Sequence, residues 1–284
     1  MVIAAVGQIC STASLSHNLT QCQTLVRRAA AAGAKALFLP EASDYIASSS
    51  SETISLVQSV TSSPFVLGLQ HEARTSTLPI NVGIHEPADG ANKVKNTLIW
   101  INEHGTVTSR YQKLHLFDVD IPGGPVLKES NSVEAGRDIV PPIDTPIGKI
   151  GMMICFDLRF PEISLRLTRQ GAQVLVYPSA FTVPTGKAHW ETLLRGRAIE
   201  NQAFVLAAAQ CGRHNGKRVS YGDSIVIGPW GEVIGRSERV EDADAEREGE
   251  REPQLLLVDL DLGLVEKARR ELPLLRRTDV YPEI

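Results

Sequence analysis

Three side chains in this sequence could together cut an amide bond: Cys155, Glu41 and Lys113. Cys155 lies in GKIGMMICFDLRFPE, where an apolar run carries the thiol to a strand's C-terminal end and a helix follows. A thiol placed there meets unpaired amide N–H groups and the positive end of a helix dipole, and both favour the thiolate. Taken alone, such a cysteine is as readily a small buried hydrophobe. Glu41 ends the apolar run AKALFLP. A carboxylate at a strand's edge lines a crevice, where burial raises its pKa towards the range of a general base; the plainer reading is a loop acid. Lys113, in SRYQKLHLFD, closes another strand run and by itself reads as a solvated surface residue. Together the three supply a nucleophile, a base for its proton and a cation for the oxyanion of a tetrahedral intermediate.

Such a trio works only if strands far apart in sequence end at one pocket. Strands are expected at Val2–Ile9, Ala34–Leu39, Phe65–Leu69, Asn81–His85, Thr97–Ile101 and Thr106–Gln112, the last two joined through Asn102-Glu-His-Gly105. Further strands are expected at Lys149–Ile154, Gln173–Tyr177, Ala203–Ala209, Ser224–Ile227, Glu232–Ile234 and Gln254–Leu260. Helical spacing marks His17–Ala32, Ala188–Asn201 and Gly263–Arg270, and Pro161–Arg169 has proline in its first turn. The Ser-rich stretch 48–63 reads equally as a loop or a polar helix. Strand–helix crossovers mixed with adjacent strands imply an α/β fold of stacked layers with parallel and antiparallel pairing.

Composition narrows the partners. The 284 residues carry 29 basic and 33 acidic side chains, a formal net charge of -4, which gives no footprint for nucleic acid or an anionic membrane. No apolar run is long enough to span a bilayer, and MVIAAVGQIC reads as a first strand, not a signal peptide. A small-molecule partner and a cytoplasmic location are expected, with a mitochondrial fraction as the alternative. The four cysteines lack metal-ligand spacing, so no metal is expected, and Cys10, Cys22 and Cys211 read as core thiols. Nothing resembles an interdomain linker, so one domain is expected over 1–284. Arg236–Glu252 is charged at 12 of 17 positions and reads as a solvated surface insertion, with docking to a basic partner as the lesser alternative.

The segments LPEASDY, YQKLHLFDVDIPGGPVLKES and ICFDLRFPE resemble the three signature segments of the nitrilase superfamily of carbon–nitrogen hydrolases. PSAFTVPTGKAHWETLLRGRAIENQ, AAAQCGRHNGKRVSYGDS and PWGEVIG look most like its deaminated-glutathione amidase branch. The resemblance implies a four-layer αββα sandwich, a homodimer, no cofactor, and a Glu-Lys-Cys triad falling on Glu41, Lys113 and Cys155. It further implies that Glu129, in LKES, keeps Lys113 charged and aimed. Arg159 would clamp a substrate carboxylate, Phe181 and Thr185 would line the acyl pocket, and the Phe156 N–H would join Lys113 at the oxyanion. Hydrolysis would pass through a Cys thioester, with deaminated glutathione giving 2-oxoglutarate and cysteinylglycine. An ω-amidase or another hydrolase of the superfamily would use the same triad, and a non-catalytic interaction protein with a redox-sensitive thiol would use the same scaffold. One departure stands out: relatives often read Tyr-Gly-His-Ser where this chain has Tyr221-Gly-Asp223-Ser. Asp223 is expected one layer behind the active centre. His115 is expected to support the Lys113 loop, and His189 to be packed or hydrogen-bonded.

Overall fold

In order, the described residues form β1 (Val2–Gln8), α1 (Leu15–Ala31), β2 (Ala36–Phe38), α2 (Ser50–Leu56), α3 (Pro64–Ser76), β3 (Ile80–Pro87), β4 (Val94–Ile101), β5 (Val107–Gln112), β6 (Asp118–Asp120), β7 (Val126–Lys128) and β8 (Val133–Glu134). The second half continues with β9 (Ile143–Thr145), β10 (Gly148–Met152), α4 (Pro161–Arg169), β11 (Val174–Val176), α5 (Val183–Asn201), β12 (Phe204–Ala207), β13 (Cys211–Arg213), β14 (Val219–Tyr221), β15 (Ile225–Ile227), β16 (Val233–Arg236), β17 (Gln254–Leu260) and α6 (Gly263–Glu271). This computed structural model describes residues 1–90, 92–120, 126–243 and 246–282. Residues 121–125 of the second signature segment and 244–245 of the charged run lie outside the described residues.

Two sheets result. One runs β17-β1-β2-β3-β4-β5 with β8 beside β4, and the other runs β16-β15-β12-β11-β10-β9. Each has a parallel centre, β1-β2-β3 and β10-β11-β12, flanked by antiparallel strands. Strand alternation then sorts the side chains into layers. Ala4, Val6, Ala36, Phe38, Leu98 and Trp100 turn inward and share one core with Ile150, Met152, Val174, Val176, Phe204 and Leu206 of the second sheet. Their neighbours Ala5, Leu37, Ile99 and Ile101 turn outward and pack with Cys22, Leu25 and Val26 of α1 and Phe65, Val66 and Leu69 of α3. On the far side, Ile163 and Leu167 of α4 and Leu194 and Ala198 of α5 cover the second sheet. The order is helix, sheet, sheet, helix: the four-layer sandwich expected.

One element reverses the sequence reading. Residues 65–69, expected as a strand, form the first turns of α3. Ser63 caps the helix by accepting the Val66 N–H, Pro64 occupies its first turn, and Phe65, Val66, Leu69 and Ala73 are buried at helical spacing. A short continuous apolar run does not distinguish the two periods; the cap and the proline did. The stretch 48–63 contains a real helix, α2, capped by Ser49. Among the described residues no helix is long and apolar enough to cross a membrane.

The charged run is not solvated throughout. It begins in β16, and Val240 is fully buried with its N–H bonded to Tyr221 O at 2.7 Å. Arg213 reaches across from β13 to Glu246 O at 2.9 Å and Ala243 O at 2.8 Å. Hydrogen bonds from the hairpin, which composition does not show, hold the run against the body.

Phe38 tests the intersheet core: its ring is 2% exposed and lies 6.2 Å from that of Trp100. Phe38→Ala should cost about 3–5 kcal/mol, read as a lower urea midpoint at unchanged slope.

Candidate active site

Glu41 leaves the C-terminal end of β2 through Pro40. The loop is held by close backbone contact: Gly83 N–H donates to Pro40 O at 3.1 Å, and Ser43 N–H donates to Gly83 O at 2.8 Å. A Cβ on Gly83 would sit 2.6 Å from Glu41 Cα and 2.7 Å from Pro40 O, so only glycine permits the approach. Behind the loop, the buried amide of Gln210 donates to Glu41 O at 3.0 Å and Ala42 O at 3.2 Å. Lys113 follows β5, with its N–H bonded to Asn96 O at 2.9 Å.

The charged groups meet in the interior. Lys113 Nζ donates to Glu41 Oε1 at 2.8 Å and to Glu129 Oε1 and Oε2 at 3.1 and 2.9 Å. Asn96 Nδ2 links the same two carboxylates, at 2.8 Å to Glu41 and 3.1 Å to Glu129. Glu129 Oε2 also accepts the Phe117 N–H at 2.7 Å. Lys113 and Glu41 are 2% and 4% exposed. A buried ammonium of this kind persists only when compensated.

Cys155 follows β10 at the mouth of a single 3-10 turn, Cys155–Arg159, with φ of 45°. A non-glycine residue at positive φ stores strain, held here by the Cys155 N–H bond to Pro178 O at 3.0 Å. Cys155 is 8% exposed, and its thiol is close enough to the Glu41 carboxylate and the Ala180 N–H for each to bear on its ionisation.

Two electrostatic expectations are overturned. The Cys155 thiol is not predisposed to ionise: burial pushes its pKa well up, the Glu41 charge adds to that, and Lys113 only partly opposes them. The dipole argument fails because α4 starts at Pro161, beyond the turn. Nor is Glu41 raised. Burial alone would lift it, but the Lys113 charge and hydrogen bonds from Lys113 and Cys155 hold it below its ordinary 4.5. Burial would likewise lower Lys113, yet the charges of Glu129 and Glu41 keep it well above 10.5. The resting site is a neutral thiol, an ionised Glu41 and an ammonium.

The remaining expected residues surround this centre. Among the described residues the Phe156 N–H has no acceptor, while its neighbours Cys155 and Asp157 bond to Pro178 O and Ile154 O. The Arg159 guanidinium lies 5.7 Å from the Phe156 ring and 5.8 Å from the Phe181 ring, and Nη2 contacts His189 Nδ1 at 3.2 Å. His189 is exposed, so its role is a hydrogen bond and not packing. Phe181 is backed by Trp190 at 4.7 Å between ring centroids. The Thr185 hydroxyl is engaged at the start of α5, 2.8 Å from that of Thr182. Asp223 stands one layer further back: its carbonyl accepts Trp190 Nε1 at 2.8 Å, and its carboxylate pairs with Arg236 at 2.9 Å through both oxygens. Cys10, Cys22 and Cys211 are buried free thiols, and burial pushes Cys10 and Cys211 up to about 12.

The family model for carbon-nitrogen hydrolases matches residues 3–270. The chain belongs to that family. A probable hydrolase of Schizosaccharomyces pombe is 46% identical over 285 residues, covering 100% of both chains. The Homo sapiens protein named deaminated glutathione amidase is 44% identical over 289 residues, covering 98% of this chain and 83% of that one. The crystal structure of the Caenorhabditis elegans NitFhit protein superposes with a TM-score of 0.88 at 39% identity. That match covers 99% of this chain, which spans 66% of the longer worm protein.

Sequence reasoning about this hydrolase missed Asn96, Gln210 and Asp157. The first two lie inside strands or at strand ends with no motif around them, and only pairing partners disclose them. Asp157 stood in the nucleophile segment itself, and a buried acid two residues past a cysteine was an available signal.

Two measurements check this geometry. Gly83→Ala should force the Glu41 backbone back by ~1 Å, and a displacement of that size lowers kcat about 100-fold, with circular dichroism unchanged. Glu41 must be ionised to accept a proton, and its folded pKa lies below 4.5. The acid limb of kcat/KM should therefore fall only below that pH, losing activity as Glu41 protonates. A limb at 6 would contradict the pairing with Lys113.

Proposed function

We propose that this hydrolase is an amidase that cleaves the monoamide of a 2-oxo diacid, deaminated glutathione foremost, through a thioester on Cys155. The observation that carries the reading is the buried contact of Lys113 with Glu41, beside a buried thiol whose ionisation both of them influence. The name of the human relative supports the substrate. So does Arg159, whose planar guanidinium stands between two aromatic rings, a fitting carboxylate clamp.

The resting charges dictate the order of events. Transferring the thiol proton to Glu41 before attack runs uphill, because the thiol is raised and the carboxyl lowered. The proton therefore leaves Sγ as the C–S bond forms. Negative charge passes to the carbonyl oxygen, where the Lys113 ammonium and the Phe156 N–H receive it. Glu41 then gives its proton to the departing amine, and the C–N bond breaks to leave the acyl group on sulfur. Water loses a proton to Glu41 and attacks the thioester; the acid departs and Glu41 returns the proton to the thiolate.

Incubation with deaminated glutathione, 2-oxoglutaramate and a simple nitrile, followed by intact-mass analysis, tests the proposal. An acyl adduct from deaminated glutathione, absent in Cys155→Ala, is expected. A Cys155→Ala variant that still turns over would end the nucleophile assignment, and faster turnover of 2-oxoglutaramate would move the substrate to an ω-amidase. Lys113→Ala should lower kcat by roughly 100-fold or more, the usual loss for one oxyanion donor. No adduct from any of the three would leave a binding protein on an enzyme scaffold.

A further inference from the structure

The three reacting groups come from two sheets, and among the described residues no hydrogen bond joins Lys113 directly to Cys155. Something must set the distance between the attacking sulfur and the ammonium that receives the oxyanion. One buried carboxylate spans that gap. Asp157, fully buried, sits two residues past the nucleophile. Its Oδ2 accepts the Tyr111 hydroxyl at 2.6 Å and the Ile154 N–H at 3.0 Å. Its Oδ1 accepts the His115 N–H at 3.0 Å and His115 Nδ1 at 2.8 Å.

The partners explain the placement. Tyr111 and His115 are two residues before and two residues after Lys113, while Ile154 immediately precedes Cys155. The single side chain thus bonds both flanks of the lysine to the strand end that carries the thiol. His115 is gripped from the other end of the same turn, stacked on Phe160 with centroids 3.5 Å apart and planes 8° from parallel. The Phe160 N–H in turn bonds to Asp157 O at 3.0 Å.

We infer that Asp157, with His115 as its outer anchor, is a positioning residue that fixes the Cys155 turn against Lys113 for oxyanion capture. This role rests on the amidase reading above. A purely structural carboxylate would stabilise the fold without altering chemistry in the molecules that remain folded. A positioning carboxylate acts on kcat far more than on KM, because Arg159, although it ends the same turn, is held at its guanidinium by His189 and Phe181 and makes no bond to the Asp157 carboxylate.

Asp157→Asn keeps the shape but offers one acceptor oxygen where two carry four donors. On deaminated glutathione or 2-oxoglutaramate, kcat per folded molecule should fall about 10- to 100-fold with KM within about twofold. The acid limb of kcat/KM supplies a second readout with a diagnostic sign. Glu41 is faced by Lys113, Glu129, Cys155 and, at longer range, Arg218. Removing a negative charge nearby would by itself lower the Glu41 pKa; loosening Lys113 raises it, so an upward shift of the limb reports lost positioning. At the partly exposed end, His115→Ala should reproduce the loss of kcat. His115→Asn, which retains a donor near the Nδ1 position, should restore most of it, and this pair serves if Asp157→Asn does not fold.

Unchanged kcat and acid limb in Asp157→Asn, or equal behaviour of His115→Ala and His115→Asn, would overturn the inference. With Cys155→Ala inactive alongside, that outcome removes the strap alone. Turnover in Cys155→Ala removes the Cys155 thioester reading beneath it.

Discussion

A lysine ammonium buried at 2% exposure is the constraint around which this molecule is arranged. Moving such a charge out of water costs several kcal/mol, and taking away one partner of a buried pair strands the other at about 3–5 kcal/mol. Glu41 and Glu129 both lie within 3 Å of Nζ. Two carboxylates around one ammonium leave a single net negative charge, and that excess helps keep the neighbouring thiol neutral. In the proposed acylation step the same charge passes from the Glu41 carboxylate to the carbonyl oxygen beside the ammonium as the thiol proton moves to Glu41. The pocket's total never changes, so no step adds a desolvation cost.

Holding this trio demands backbone that cannot drift. Gly83 lets β3 press against the Glu41 loop, Gln210 grips that loop from behind, and Asn96 ties the two carboxylates together. Each device lies on or beside a strand whose other side chains fill the intersheet or outer core. Catalytic precision and core packing are consequently two aspects of the same strands. The strained φ at Cys155 belongs to the same economy of geometry: the turn is over-determined by its bonds to Pro178 O and Asp157.

Much of this was legible in the letters. Strand runs ending in Pro40-Glu41, Gln112-Lys113 and Ile154-Cys155 named the groups that meet, although only the first and last are continuously apolar and the middle one alternates. The layers followed from strands and helices recurring in order. The protonation states did not follow. A single letter carries a preference for water but no information on which charge lies 2.8 Å away, and Glu41 shifts opposite to burial for that reason. Residues 65–69 misled because five apolar neighbours fit a strand and a buried helix face alike. Asn96 and Gln210 were invisible: their function resides in partners 55 and 169 positions away.

The division between the two sheets has an evolutionary corollary. Glu41, Lys113, Asn96 and Glu129 all belong to the first sheet or its connections, whereas Cys155, Arg159 and Phe181 belong to the second. In the proposed mechanism, proton handling and charge compensation thus reside on one wall, while the proposed substrate contacts reside on the other. Drift at Arg159 or Phe181, away from the Asp157 and Gln210 contacts that cross between the walls, could retune which molecules enter without unsettling the electrostatic machinery opposite. A scaffold split in this way is free to diversify its diet while its chemistry stays fixed.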